Sequence, residues 1–267
     1  MERFLYRLAE SSYRDRFILK GALVLLAWRG KSDRPTQDVD LLGRLRNDLP
    51  TIQTALEEVC SITCEDDALT FELQGVSELT RDTYHGVRAS LRANLERTRV
   101  IFKVDIGFGD PVTPPPLEGV FPTLLPMPAP RLLLYSKETV VAEKLHAIAQ
   151  FGLLNSRLKD YYDLWLLSET ETFEGELLVP AICSTFGCRS ERVLAELPGL
   201  SERYLANPRA SGAWRALMAR SHLRDVPDQL ASTLQTIRAF VVPVLTAIAA
   251  DEPFTQVWVP PGPWRSR

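Results

Sequence analysis

Eight of the chain's nineteen prolines lie between Pro111 and Pro130, and no other feature limits the possible folds so strongly. Proline fixes φ and has no backbone N–H, so this density bars both a helix and a central strand. It predicts an extended connector over residues 116–130, with one domain at 1–115 and a second at 131–267. A length of 267 residues suffices for two ordinary domains, each with a buried core. Before the connector, strand-like runs at Asp38 to Leu42, Ala68 to Leu73 and Arg99 to Ile106 alternate with helical stretches, which predicts a compact mixed α and β unit. After it the pattern is helical nearly throughout. The fold class expected is therefore α+β.

Hydrophobic residues make up 45% and charged residues 24% of the chain, the proportions of an ordinary globular protein. A net charge of -3 excludes a generally basic nucleic-acid binder but not local basic patches. Residues 1–46 hold ten Lys or Arg against six acids, and residues 81–103 hold six against two. Such runs suit an anionic polymer or serve as solvated faces. Cys60, Cys64, Cys183 and Cys188 form no Cys-x-x-Cys pair and the three histidines are scattered, so a zinc site is not expected. The cysteines read as reduced thiols of a cytoplasmic protein. The apolar stretches Phe17 to Trp28 and Ala239 to Ala250 are interrupted by Lys20 and Pro243 and are short for a bilayer, so no membrane segment is expected.

The chemistry centres on Asp38-Val39-Asp40. On a strand, alternation places both carboxylates on one face and Val39 and Leu41 on the other. Two neighbouring acids stay ionised most easily around a hard cation such as magnesium or manganese, although an Asp-x-Asp at a strand end also serves as a turn or solvated edge. Ahead of the pair, Lys20-Gly21-Ala22 opens an apolar helix. A glycine there either makes a simple turn or lets a phosphate approach the free N–H groups at the helix start. Farther on, Phe102, Val104 and Ile106 share a core face, leaving Lys103 and Asp105 on the other. Asp105 is a candidate third acid for the same metal, or a strand-end cap.

Ser136 and Gly152 bracket a helix in which Lys144 lies among Val140, Val141, Ala147 and Ile148. An ammonium in an apolar stripe snorkels to solvent or pairs with an anion, either a carboxylate or a triphosphate. Next comes Asn155-Ser156-Arg157-Leu158-Lys159-Asp160-Tyr161-Tyr162-Asp163, a helix expected to be capped by Asn155 or Ser156. Its charges are three and four residues apart, as in a surface laced by ion pairs or in a cluster that orders phosphate-binding groups around a carboxylate.

Five segments, Phe17 to Gly21, Arg34 to Gly43, Lys103 to Asp110, Ala142 to Ala147 and Asn155 to Leu164, resemble in order and spacing the signature of the AbiEii/AbiGii toxin family of nucleotidyltransferases. The resemblance implies a polymerase-β-like nucleotidyltransferase domain with a mixed sheet, then a mostly helical C-terminal domain that completes the active site. It implies a Mg2+- or Mn2+-dependent toxin that transfers NMP from an NTP to an RNA acceptor, the tRNA 3′ end first among them, and that is neutralised by an antitoxin encoded alongside. Carried over by position, Asp38 and Asp40 match the metal pair and Asp105 the third acid of the wider superfamily. Lys20, Gly21, Ala22, Lys144, Arg157, Lys159 and Asp163 match nucleotide-binding positions, and Asp38, Asp40, Lys144 and Asp160 the catalytic ones. Family members often carry Gly-Ser where this chain has Gly21-Ala22, which removes a hydroxyl contact to phosphate. Arg14, Arg16, Arg88 and Arg92, from the basic stretches, are the candidate RNA contacts. A non-catalytic nucleotide- or partner-binding relative and a metal-dependent RNase are the alternatives.

Overall fold

The computed structural model describes residues 1–30, 36–81, 84–221 and 226–267. It divides into two compact units, Met1–Asp110 with Pro116–Tyr135, and Pro111–Pro115 with Ser136–Arg267.

The first unit is a mixed α+β layer. Its elements are α1 (Glu2–Glu10), β1 (Phe17–Lys20), α2 (Gly21–Arg29), β2 (Asp38–Gly43), α3 (Leu49–Ser61), β3 (Thr70–Arg81), β4 (Tyr84–Leu95), β5 (Thr98–Phe108), β6 (Leu117–Val120) and β7 (Arg131–Leu134). The seven strands form one sheet in the order β3-β4-β5-β2-β1-β7-β6. It is mixed: β2 runs parallel to β5 and β1 to β7, whereas β1–β2, β3–β4, β4–β5 and β6–β7 are antiparallel. Alternation decides the faces. Val39, Leu41, Val87, Ala89, Leu91, Val104 and Ile106 are all nearly inaccessible to solvent and define the core side. Helix α3 presents Ile52, Ala55, Leu56 and Val59 at helical spacing to the core and is capped by Asp48, whose side chain accepts from Thr51 N at 2.9 Å.

Helix α1 is fixed by a buried charge cluster. Arg7 donates to both carboxylate oxygens of Asp67 at 2.8 and 2.9 Å, and Arg3 Nε donates to Asp67 Oδ2 at 2.7 Å. The remaining donors of Arg7 reach the carbonyls of Ile62, Arg3 and Leu69, so the buried guanidinium is well satisfied.

The proline-rich stretch departs from the expectation of an extended connector. Leu117–Val120 is strand β6, antiparallel to β7, and Pro116–Tyr135 packs with the first unit. Its short run between Pro116 and Pro122 forms the sheet's last strand, and an edge needs no complete ladder of donors.

The second unit comprises α4 (Lys137–Phe151), α5 (Leu158–Thr170), β8 (Phe173–Glu174), α6 (Gly175–Cys188), α7 (Glu202–Leu205), α8 (Pro208–Ser221), α9 (Leu230–Ala250), β9 (Val257–Trp258) and β10 (Trp264–Arg265). Ser136 caps α4, accepting from Thr139 N at 3.3 Å, and Gly152 ends it with φ of 50°. Helix α9 extends the apolar stretch Ala239 to Ala250 back to Leu230. It runs 21 residues through Pro243, so by length and composition it is long enough to cross a membrane. Its Leu234, Ile237, Val241, Val244 and Leu245 are buried in the unit's own core, where it packs on α5 and α6. Strands β8, β9 and β10 close over that core: Phe240 lies 4.9 Å from Phe173, 5.1 Å from Trp258 and 5.8 Å from Trp264, ring centre to ring centre.

Candidate functional site

Strand β2 brings Asp38 and Asp40 to the face opposite the core, as alternation requires, since Val39 is fully buried and both acids are partly exposed. Asp40 stands in register between Lys20 on β1 and Asp105 on β5, and Asp105 in turn faces Arg88 on β4. One row across four strands thus reads Lys20, Asp40, Asp105, Arg88. The adjoining row begins with Asp38 beside Lys103.

Gly21 opens α2 in the left-handed region, with φ of 67°. A Cβ built there would lie 2.8 Å from Asp40 Cγ, closer than real Cβ atoms approach. Glycine is therefore required twice, for the backbone angle and for the carboxylate packed against it. The space expected to admit a phosphate is occupied in part by Asp40 itself. Lys20, expected at the nucleotide, donates to Asp110 Oδ2 at 3.0 Å and lies 5.0 Å from the centre of the Tyr135 ring. Asp110 closes one of the five matching segments, though the sequence assigned it no role, and follows Gly109, whose φ of 79° turns the chain at the end of β5.

Asp105, the candidate third metal ligand, is held in an ion pair. Arg88 donates Nε to its Oδ1 at 2.7 Å and Nη2 to its Oδ2 at 2.6 Å, a bidentate pair with side-chain exposures of 27% and 17%. Hydrogen bonding to Asp105 raises the Arg88 pKa further against some loss from burial, and the charges of Asp105, Asp38 and Asp40 add to it. Among the described residues no group of three or more His, Cys, Asp or Glu is arranged to hold a metal ion. Asp38 and Asp40 nevertheless fit a magnesium ion, which takes one or two protein carboxylates and completes its shell with water and substrate phosphate.

The candidate RNA contacts are dispersed. Arg88 and Arg92 share the outer face of β4, but Arg88 is held by Asp105 and Arg92 is paired with Glu72. Arg14 pairs with Glu118 of β6, toward the opposite edge of the sheet, and Arg16 is exposed nearby. Lys103 and Arg99 are exposed on the same face of β5 as Asp105. Arg34, at the start of one matching segment, lies outside the described residues.

In the second unit, Lys144 of α4 is nine-tenths buried and points to α5. Its Nζ donates to Asp160 Oδ1 at 3.2 Å and to Asp163 Oδ2 at 2.5 Å, while Arg157 Nε donates to Asp160 Oδ2 at 2.7 Å. The pairing alternative is the one realised, with carboxylates as the anions. This is no surface lacing: Asp163 is fully buried and Asp160 is 6% exposed. Arg157 and Lys159 are exposed at the start of α5. The helix's N-cap is Arg157 rather than Asn155 or Ser156, because Asn155 Oδ1 is spent on the Arg157 N–H at 2.8 Å, forming a turn just before the helix. That turn is anchored by Tyr204, whose hydroxyl donates to Asn155 O at 2.8 Å.

The model of a family described as nucleotidyl transferase AbiEii toxin, type IV toxin–antitoxin system, matches residues 3–240. Among solved structures, a candidate nucleotidyltransferase from H. pylori is 14% identical, with a TM-score of 0.47, and the match covers 93% of this chain and 92% of that one. JHP933 from Helicobacter pylori is 12% identical, with a TM-score of 0.46 over 93% of this chain and 89% of its own. Comparison with curated proteins gives no match.

Proposed function

This chain belongs to the AbiEii nucleotidyltransferase toxin family, and from that premise we propose that it transfers NMP from an NTP to an RNA acceptor, with a tRNA 3′ end as the favoured substrate. A type IV toxin–antitoxin family implies a nucleotide substrate and an antitoxin partner. The observation that carries the reading is the paired carboxylates of Asp38 and Asp40 on the solvent side of β2, with Asp40 seated against Gly21 at the start of α2.

Asp38 and Asp40 are the residues that would hold magnesium, which when bound neutralises phosphate charge and eases departure of pyrophosphate. Gly21 leaves room for the Asp40 carboxylate at the start of α2, which keeps that metal ligand in place. In the second unit, Arg157 and Lys159 offer accessible positive charge for a triphosphate. Lys144 is oriented by Asp160 and Asp163, so its position is set before substrate arrives. Each carboxylate oxygen has two lone pairs, so Asp160 retains capacity to accept a hydrogen bond from an acceptor hydroxyl while bound to Lys144 and Arg157. Arg16, Arg99 and Lys103 are the accessible cations assigned to the acceptor's phosphates.

The test is incubation with each labelled NTP, magnesium and total tRNA, wild type beside Asp38→Ala, resolved on a denaturing gel. Label should enter RNA with the wild type and fall at least a hundredfold with the variant. No transfer from any NTP refutes the reading, and RNA shortening would assign a nuclease instead.

A further inference from the structure

The outer face of the sheet carries three acids in neighbouring positions, Asp38 and Asp40 on β2 and Asp105 directly beside Asp40 on β5. Three converging carboxylates would hold two divalent cations, one of them shared through the third acid. Here the third acid is already engaged. Arg88, its cross-strand partner, reaches both carboxylate oxygens, at 2.7 and 2.6 Å, from a strand position that keeps the two side chains opposite each other. A cation coordinated by Asp105 would have to use the lone pairs that Arg88 leaves and sit beside a guanidinium, 73% shielded from solvent, whose positive charge opposes it.

Resting on the reading of Asp38 and Asp40 as the metal pair, we propose that Arg88 is a built-in counter-cation that withholds Asp105, so that the site binds one divalent cation per nucleotide rather than two. The grouping of the acids agrees, since among the described residues no three of them are arranged around a common cation position. Arg88 is thus a positioning residue that sets metal stoichiometry.

The experiment is a Mn2+ titration of the full chain with one equivalent of a non-hydrolysable NTP, free Mn2+ being read by electron paramagnetic resonance. Wild type should bind one Mn2+ per protein–nucleotide complex. Arg88→Met should bind two, and Arg88→Met with Asp105→Asn should return to one. A wild-type count of two, or a count of one in Arg88→Met shown to be folded by circular dichroism, overturns the proposal. If Arg88→Met does not fold, Asp105→Asn alone decides: Mn2+ affinity within twofold of wild type supports the proposal, and a tenfold loss overturns it. The underlying metal assignment fails separately, if Asp38→Ala and Asp40→Ala leave Mn2+ affinity for the complex unchanged.

Discussion

Replacing Lys144 by Met tests whether the second unit is built around its buried charges. Methionine keeps the length of the side chain and removes the ammonium, which lies 3.2 Å from Asp160 and 2.5 Å from Asp163. Asp160 retains Arg157, whose side chain is 48% exposed, but Asp163 is wholly buried and loses its closest cation. Breaking a buried pair from one side costs about 3–5 kcal/mol, because the surviving charge stays out of water. With a urea m-value of about 2 kcal/mol per M, the midpoint should fall by roughly 1.5–2.5 M. Tryptophan fluorescence is the suitable probe, since Trp165, Trp214, Trp258 and Trp264 all belong to this unit and only Trp28 to the other. The double variant Lys144→Met with Asp163→Asn should recover at least half of the loss, as both buried charges are then gone. A fall of less than about 1 kcal/mol in the single variant, or no recovery in the double, would refute the reasoning.

Gly21→Ala should cost about 1–2 kcal/mol for the left-handed backbone alone, and displacement of Asp40 should lower Mn2+ affinity at least tenfold by calorimetry. Unchanged metal affinity would show that the glycine does not seat the carboxylate. Asp67 makes the first unit acid-labile: burial pushes its carboxyl up, but hydrogen bonds from Arg7, Arg3 and the Leu69 N–H outweigh this and hold it well below the usual carboxylate range. A depressed folded pKa gives stability that is complete above about pH 4–5 and is lost as pH falls below that. Asp67→Asn should therefore be less stable at pH 7 and show a flatter decline between pH 5 and 3; parallel curves would count against this account.

Local periodicity was enough to place Asp38 and Asp40 on one strand face and to start α2 at Gly21, because both depend on neighbours in sequence. What those residues touch was not legible. Arg88 lies 17 positions from Asp105 and Lys20 90 positions from Asp110, and only strand order brings each pair together. Strand β4 itself was hidden. Val87, Ala89 and Leu91 alternate with Arg88, Ser90 and Arg92, and the charges of the outward face drew attention to a basic stretch instead of a strand. Proline density misled in the other direction, since it excludes central strands but leaves the sheet's edge available to Leu117–Val120. For Lys144 the sequence posed the right question, and the answer depended on which face of α5 lay opposite.

The family match stops at residue 240, yet the fold does not. Phe240 lies midway along α9, and its ring is covered by Trp258 and stacked by Trp264, whose indole donates to the Phe240 carbonyl at 2.7 Å. Trp258 likewise ties the last strands to α5 through a hydrogen bond to Ser168 O at 2.7 Å. Anyone trimming the gene to the homologous region would cut a helix in half and strip the aromatic lid from the bundle, yielding insoluble protein whose inactivity says nothing about Asp38, Asp40 or Lys144.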